Sequence, residues 1–275
     1  MSTQVKVIAD SRAPTGKRLT TLQVRFPRFI LAEFNTHRVA SRNFRSSRAV
    51  PVAKLISEVR HTPFIPSQFT RNQKGMQGGE ALSGRDLEWA ERAWRDAASA
   101  AANHAEMLAL AGVHKQYANR GLEPYLYVDG VVSFTEWDNF FNLRLHPDAQ
   151  PEFQELASHL CAALEQSTPV ELDYGDWHLP YVKEAEFDQW GLEVIRKVSA
   201  ARCAWVSYKP FESTDEDEKD HTNIKRALAT FDKLVGTPMH ASPMEHVATP
   251  GTHRLSNFVG WTQWRHELEE GRAHG

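Results

Sequence analysis

The apolar positions of the chain switch repeatedly between strand and helix periods. Val5 to Ala9 reads as a strand, and Leu19 to Phe26 as a second, with Leu22, Val24 and Phe26 on one face. Pro27 has no N–H for a ladder and ends it. Phe29 to Phe34 is a short apolar stretch of helical character, and Pro51 to Val59 is a helix opened by its proline. The clearest helix covers residues 85–111. Leu87, Ala90, Trp94, Ala97, Ala101, Ala105 and Leu108 recur at helical spacing, and Gly112 supplies the stop. Tyr125 to Phe134 is rich in strand formers, and Thr135 or a neighbour is a candidate cap for a helix through Phe141. Pro151 to Leu164, Leu192 to Tyr208 and Asn223 to Val235 carry helical periods, and the tail from Asn257 to Glu269 reads as a last helix. Strands mixed with long helices predict an α+β fold.

The intervening segments differ in character. Residues 62–84 are rich in Gly, Gln, Asn and Pro and read as a long loop, a length associated with function or disorder. Residues 168–189 read as an irregular, aromatic linker, and Glu212 to Asp220 as a solvated acidic loop. The 275 residues are expected to form a single unit: a first part over 1–165, a linker over 166–190 and a last part over 191–275. A net charge of -3 gives no global pull toward nucleic acid or membrane, so any anion site must be local. No apolar run approaches the roughly 20 residues of a membrane span, and Met1 to Asp10 lacks the apolar stretch of a signal peptide. Cys161 and Cys203 fit no metal spacing and read as core thiols in a reducing, cytoplasmic setting.

The densest chemistry lies between Thr36 and Arg48, where His37, Arg38, Arg42, Arg45 and Arg48 alternate with Ser41, Ser46 and Ser47. No carboxylate occurs between Phe34 and Ser57. Guanidinium forks beside hydroxyls and backbone N–H groups suit a phosphate; a basic arm for RNA or DNA has the same composition. The order His-Arg-x-x-Ser-x-Asn-x-x-Ser-x-Arg resembles the signature of the flavin-dependent thymidylate synthases, in which an Arg precedes the His and a Glu follows the Asn. Here Thr36 and Phe44 occupy those two places.

Further blocks carry the same resemblance. Asn139-Phe140-Phe141-Asn142-Leu143-Arg144 with Ala149-Gln150-x-Glu152 is similar to the family's Asn-x-x-Asn-Leu-Arg and Ala-Gln-x-Glu segment. Arg120 precedes Pro124 as a substrate-binding Arg precedes a Pro in the family. Read on its own, the first of these blocks is equally a half-buried helix whose Arg144 pairs with Asp148 or Glu152. His240-Ala241-Ser242-Pro243-Met244-Glu245-His246 resembles the His-x-Ser/Thr-Pro-Phe-Glu-His element, and Ala200-Ala201-Arg202 with Val206-Ser207-Tyr208 loosely resembles a stretch upstream of it. In the family these last two precede the arginine motif; here they follow it. The resemblance therefore implies a circularly permuted order, with 191–275 standing for the family's N-terminal part. Taken alone, His240 to His246 is a helix start with Ser242 as cap and Pro243 at its first position. A zinc site there lacks a third ligand, so no metal is expected.

The resemblance implies a mixed sheet with long helices. It also implies transfer of a one-carbon unit from methylenetetrahydrofolate to carbon 5 of dUMP, with FAD relaying hydride from NADPH, in a homotetramer whose sites are shared between subunits. Arg144 would act on the pyrimidine. Ser46, Ser47, Arg48 and Arg120 would hold the nucleotide. His37, Arg38, Asn43, Asn139, His240 and Ser242 would contact FAD. Apart from the resemblance, a carboxylate can accept from a cytosine amino group, which makes Glu33 a candidate discriminator of the base beside its reading as a surface or ion-paired residue. The alternatives are a hydroxymethylating or dCMP-specific enzyme of the same type, and a non-enzymatic nucleic-acid-binding module; with the enzyme reading, neither nucleic acid nor membrane is an expected partner.

Overall fold

The computed structural model describes residues 2–206 and 223–273. Ser207, Tyr208 and the acidic run Glu212 to Asp220 lie outside the described residues. Strand β1 (Gln4–Arg12) turns back into β2 (Arg18–Pro27). A 3-10 turn (Arg28–Ile30) and the single turn α1 (Leu31–Phe34) follow, then β3 (Ser41–Phe44) and α2 (Val52–His61). The long helix α3 (Gly84–Leu110), the turn α4 (Lys115–Ala118) and a 3-10 helix (Arg120–Tyr125) lead to β4 (Tyr127–Phe134). Helices α5 (Asp138–Arg144) and α6 (Pro151–Glu165) precede the two-residue β5 (Val170–Glu171). The last part holds α7 (Glu184–Phe187), α8 (Leu192–Trp205), α9 (Ile224–Leu234), the hairpin β6 (Ala248–Leu255) and β7 (Phe258–Gln263), and α10 (Trp264–Ala273).

One five-stranded sheet in the order β3-β4-β2-β1-β5 forms the centre. Its first four strands pair antiparallel and β5 runs parallel to β1, so the sheet is mixed. The alternation expected for β2 is present, but both faces of the strand are covered. Leu22, Val24 and Phe26 join Val128, Val132 and Phe134 of β4 beneath Phe153, Leu156, Ala157 and Leu160 of α6, with Phe34 and Phe140 closing the end. Each of the Val, Leu and Phe side chains contributes about 1.5–3 kcal/mol by leaving water. The opposite face presents Leu19 and Thr21 to the last third of the chain; Leu19 packs with Ala248, Phe258 and Trp261. Outside the sheet, α8 and α9 pack through Ile195, Val198, Ala201, Trp205, Ala227 and Phe231. Separately, α3 lays Ala98, Ala102 and Ala105 against Leu55, Ile56 and Val59 of α2, the close approach its alanines permit.

Three local expectations change. Thr135 does not cap α5, whose first turn carries no side-chain cap; its hydroxyl accepts instead from the Val259 N–H. The segment 168–189 is largely irregular, yet it runs through the body: His178 is buried and its backbone bridges Ala248. The tail is not helical from Asn257, because Phe258 to Gln263 is a strand and helix begins only at Trp264. Phe258, Trp261 and Trp264 are three apart and imitate a helical stripe. The left-handed Gly260 (φ 73°) breaks the strand's alternation and turns Phe258 and Trp261 into the same cluster. A Cβ at Gly260 would also meet Lys17 Cβ at 2.9 Å. Among the described residues no helix is long and apolar enough to cross a membrane.

Candidate functional site

The arginine-rich segment is built into the edge of the sheet. After α1, Thr36 donates its hydroxyl to the Glu33 carbonyl (2.6 Å), and the His37 and Ala40 amides close successive turns. The chain then enters β3, where Ser41 pairs with Ser133 and Phe44 with Gly130. Phe44 points into the core, edge-on to Phe26 and Phe34, each 5.5 Å away. A Cβ at Gly130 would lie 2.0 Å from the Phe44 ring, so glycine makes room for this aromatic in place of the family's Glu.

His37 is 5% exposed, with its ring 4.8 Å from Phe140. Arg144, in the last turn of α5, donates from Nε to His37 Nε2 (2.8 Å), and its guanidinium lies 4.1 Å from the Phe153 ring centre. Burial, then the charges of Arg144 and Arg42, push the His37 pKa down to about 4. The imidazole is therefore neutral at pH 7 and accepts at Nε2. Arg144 makes no ion pair with Asp148 or Glu152 among the described residues; the exposed Glu33 acts on it through its charge. Beside Arg144 a cavity of about 360 Å³ is lined by Asn142, Leu143, His146, Asp148 and Ala149. It adjoins, through Asp148 and Ala149, a larger space of about 1140 Å³ beneath the 66–79 loop.

The C-terminal block meets this edge from the other face. Residues Ser242–Glu245 form a 3-10 turn in which Ser242 does not cap; its hydroxyl donates to Asn43 Oδ1 (3.0 Å), 199 positions away in sequence. Asn43 Nδ2 donates to the Cys203 carbonyl (3.2 Å), and burial pushes the Cys203 thiol pKa up. Arg38, Asn139 and His240 are exposed. Deeper in the sheet a polar chain runs from Ser11 Oγ to His178 Nδ1 (2.8 Å) and from His178 Nε2 to Thr21 Oγ1 (2.8 Å). It continues to Ser133 Oγ (2.6 Å) and His246 Nδ1 (2.8 Å). His246 Nε2 has no partner among the described residues, and burial pulls both histidines down to about 3.

The carboxylates absent from the arginine-rich segment arrive from other elements. Glu58 of α2 takes Arg45 at two points (2.8 and 3.3 Å). Glu123, in the 3-10 helix before β4, accepts from Ser47 Oγ (2.5 Å), Arg120 Nη1 (2.9 Å) and Arg28 Nη2 (3.2 Å). Burial alone would raise the Glu123 pKa, but the Ser47 hydrogen bond and the charges of Arg28 and Arg120 bring it below the ordinary value. Ser46 is half-buried and Arg48 exposed. Asn119 fixes the backbone between them and α2 by donating to the carbonyls of Ser47 (2.7 Å) and Val50 (3.0 Å). Sequence reasoning placed His246 in a motif but gave it no role, and did not single out Glu123, Arg28 or His178 for a site. Of those three, only Glu123 had a local signal, three residues after Arg120 and next to Pro124. Among the described residues no group of three His, Cys, Asp or Glu is placed to hold a metal.

The fold resembles a UMP/dUMP methylase PolB from Streptomyces cacaoi, in a structure bound with 5-Br dUMP. That pair has 17% identity and a TM-score of 0.50, over 60% of this chain and 91% of that one. A second structure of the methylase, bound with 5-Br UMP, gives 16% identity and a TM-score of 0.51, over 60% and 90% of the two chains. At such identities the likeness is one of fold. No curated protein matches the chain. The profile of the thymidylate synthase complementing protein family matches residues 18–170, which run from the start of β2 to β5 and include the arginine-rich segment, Arg120 and Arg144. With more than half of its 275 residues matched, the chain belongs to the thymidylate synthase complementing protein family, the flavin-dependent family that its motifs resemble.

Proposed function

We propose that the protein transfers a one-carbon unit from methylenetetrahydrofolate to carbon 5 of dUMP, with hydride passing from NADPH by way of FAD. The observation that carries this reading is the convergence of distant blocks on one sheet edge: Arg144 on His37, and Ser242 on Asn43. The resemblance of the fold to a methylase seen with halogenated UMP and dUMP supports a pyrimidine nucleotide as substrate. Arg144, held in orientation by a neutral imidazole and an aromatic face, places a fixed cation where negative charge would develop on the base. Arg48 and Arg120 supply guanidinium groups for the phosphate beside Ser46 and Ser47. Replacing Arg48 or Arg120 with Ala should weaken dUMP binding by about 1.5–3 kcal/mol while deoxyuridine binds as before. Equal affinity of the unaltered protein for dUMP and deoxyuridine in calorimetry would remove this assignment. Two arginines of the segment are already engaged, Arg42 by Asn35 and Arg45 by Glu58, which disfavours a nucleic-acid arm.

The donor set fits FAD. Exposed Arg38 suits a pyrophosphate, and exposed Asn139 and His240 offer an amide and an imidazole; Asn43 follows Arg38, and Ser242 follows His240, in the sequence blocks that the family resemblance assigns to flavin. When bound, FAD would supply the hydride chemistry; the protein orients it. The permuted segment order belongs to the same reading. The family match begins at residue 18, and the chain just past His246 packs Ala248 against Leu19 at the start of β2. We expect a desalted mixture of protein and FAD to keep a flavin absorbance band. Asn43→Ala and Ser242→Ala should each lower FAD affinity, and the double variant should lose less than the sum, because the two side chains are bonded. No retained flavin, or no effect of Ser242→Ala, would count against the permuted site. The exposed Trp89, Met107 and Leu110 of α3 support an assembly of several copies, with the homotetramer as the expected state.

A further inference from the structure

Three donors at the mouth of the arginine-rich segment converge on one atom. Ser47 Oγ, Arg120 Nη1 and Arg28 Nη2 all reach Glu123 Oε1, at 2.5, 2.9 and 3.2 Å. A carboxylate oxygen has about two lone-pair directions, so it is oversubscribed. The surroundings are fixed: buried Asn119 holds the carbonyls of Ser47 and Val50, and Lys115 Nζ donates to the Ala49 carbonyl (3.1 Å). The Arg120 and Glu123 side chains, 53% and 25% exposed, face solvent, as does Arg48, which has no ion pair among the described residues. Arg28 and Arg120 thus share a single carboxylate with Ser47, while Arg48 lacks one. A phosphate offers three terminal oxygens and could take these donors separately.

We propose that Glu123 is a resident stand-in for the nucleotide phosphate, holding Ser47 and Arg120 in place when no nucleotide is bound and releasing them when the phosphate arrives. The inference rests on the nucleotide reading above. Phosphate then competes with a charge already in its site, so removing that charge favours the ligand.

The test titrates inorganic phosphate, dUMP and deoxyuridine by calorimetry into the unaltered protein, Glu123→Gln and Glu123→Asp. Glu123→Gln should bind inorganic phosphate at least about five-fold tighter, with deoxyuridine affinity unchanged. Glu123→Asp, which keeps the charge but draws it back by one methylene, should fall in between. Equal or weaker phosphate affinity in a normally folded Glu123→Gln overturns the proposal and leaves Glu123 a structural brace. Should Glu123→Gln fail to fold, absence of tightening in Glu123→Asp overturns it instead. A preference for dUMP over deoxyuridine without any gain in the variants removes this inference alone. Failure of phosphate and dUMP to bind any of the three proteins removes the nucleotide reading with it.

Discussion

Arg144→Lys is expected to lower turnover about 100-fold, or ~2.7 kcal/mol of transition-state stabilisation, the scale of losing one preorganised donor. The reason is geometric. Arg144 is held from two sides, by its Nε–H to His37 Nε2 at 2.8 Å and by the Phe153 ring 4.1 Å from its guanidinium carbon. Those contacts orient the plane of the fork at the rim of the 360 Å³ cavity. Lysine keeps the charge but has no Nε–H for His37 and no plane to lie on Phe153. His37, with its pKa down at about 4, stays neutral and an acceptor throughout the working range. The fold should survive, since α5 is otherwise anchored by buried Phe140. Steady-state assays with dUMP, together with a melting curve, make the comparison. Unchanged turnover in a protein of unchanged melting temperature would return Arg144 to a purely structural role.

His178 and His246 together should cost about 4 kcal/mol of stability between pH 7 and pH 5, about 2 kcal/mol each, with a smaller further loss from the partly screened His37. Both rings are fully buried in the Ser11–His178–Thr21–Ser133–His246 chain, and burial pulls each pKa to about 3; for His246 the neighbouring His178 adds to the shift. The unfolded chain titrates these groups near 6.5. Below that value the unfolded state takes up protons that the native state refuses, so stability decreases as pH drops from about 6.5 toward 3. At pH 5 the loss depends on the unfolded value, because the native pKa lies well below. Such a loss is a large fraction of the 5–15 kcal/mol typical of a domain. Urea unfolding at the two pH values measures it. His246→Asn keeps a partner for Ser133 but does not titrate, and should reduce the difference by about 2 kcal/mol. A flat profile from pH 7 to pH 5 would contradict the assignment of neutral, buried histidines.

Much of the fold was legible in local pattern. The strands around Leu22 and Val128 and the helices over 85–111 and 151–164 stand where their periods place them, because each period matches one buried face. The hairpin of β6 and β7 was not legible. Its strands find their ladder partners in each other across the turn at Ser256 and Asn257, and its aromatic residues have a spacing of three. The cap reading of Ser242 failed for a related reason: a local cap rule sees only neighbouring N–H groups, whereas its hydroxyl is taken by Asn43 from another part of the chain.

The sequence by itself determined where positive charge and small hydroxyls are concentrated, and which segments are apolar enough to be covered, since both are properties of consecutive residues. It also carried the resemblance to the family, to which the match over residues 18–170 assigns the chain. Only the tertiary structure decided which groups face each charge. Glu58 and Glu123 reach the arginine-rich segment from other elements, and His37 is kept neutral by burial under Arg144. Hydrogen bonds and pKa shifts depend on distances through space and on exclusion of water, and neither is encoded in the spacing of residues along the chain.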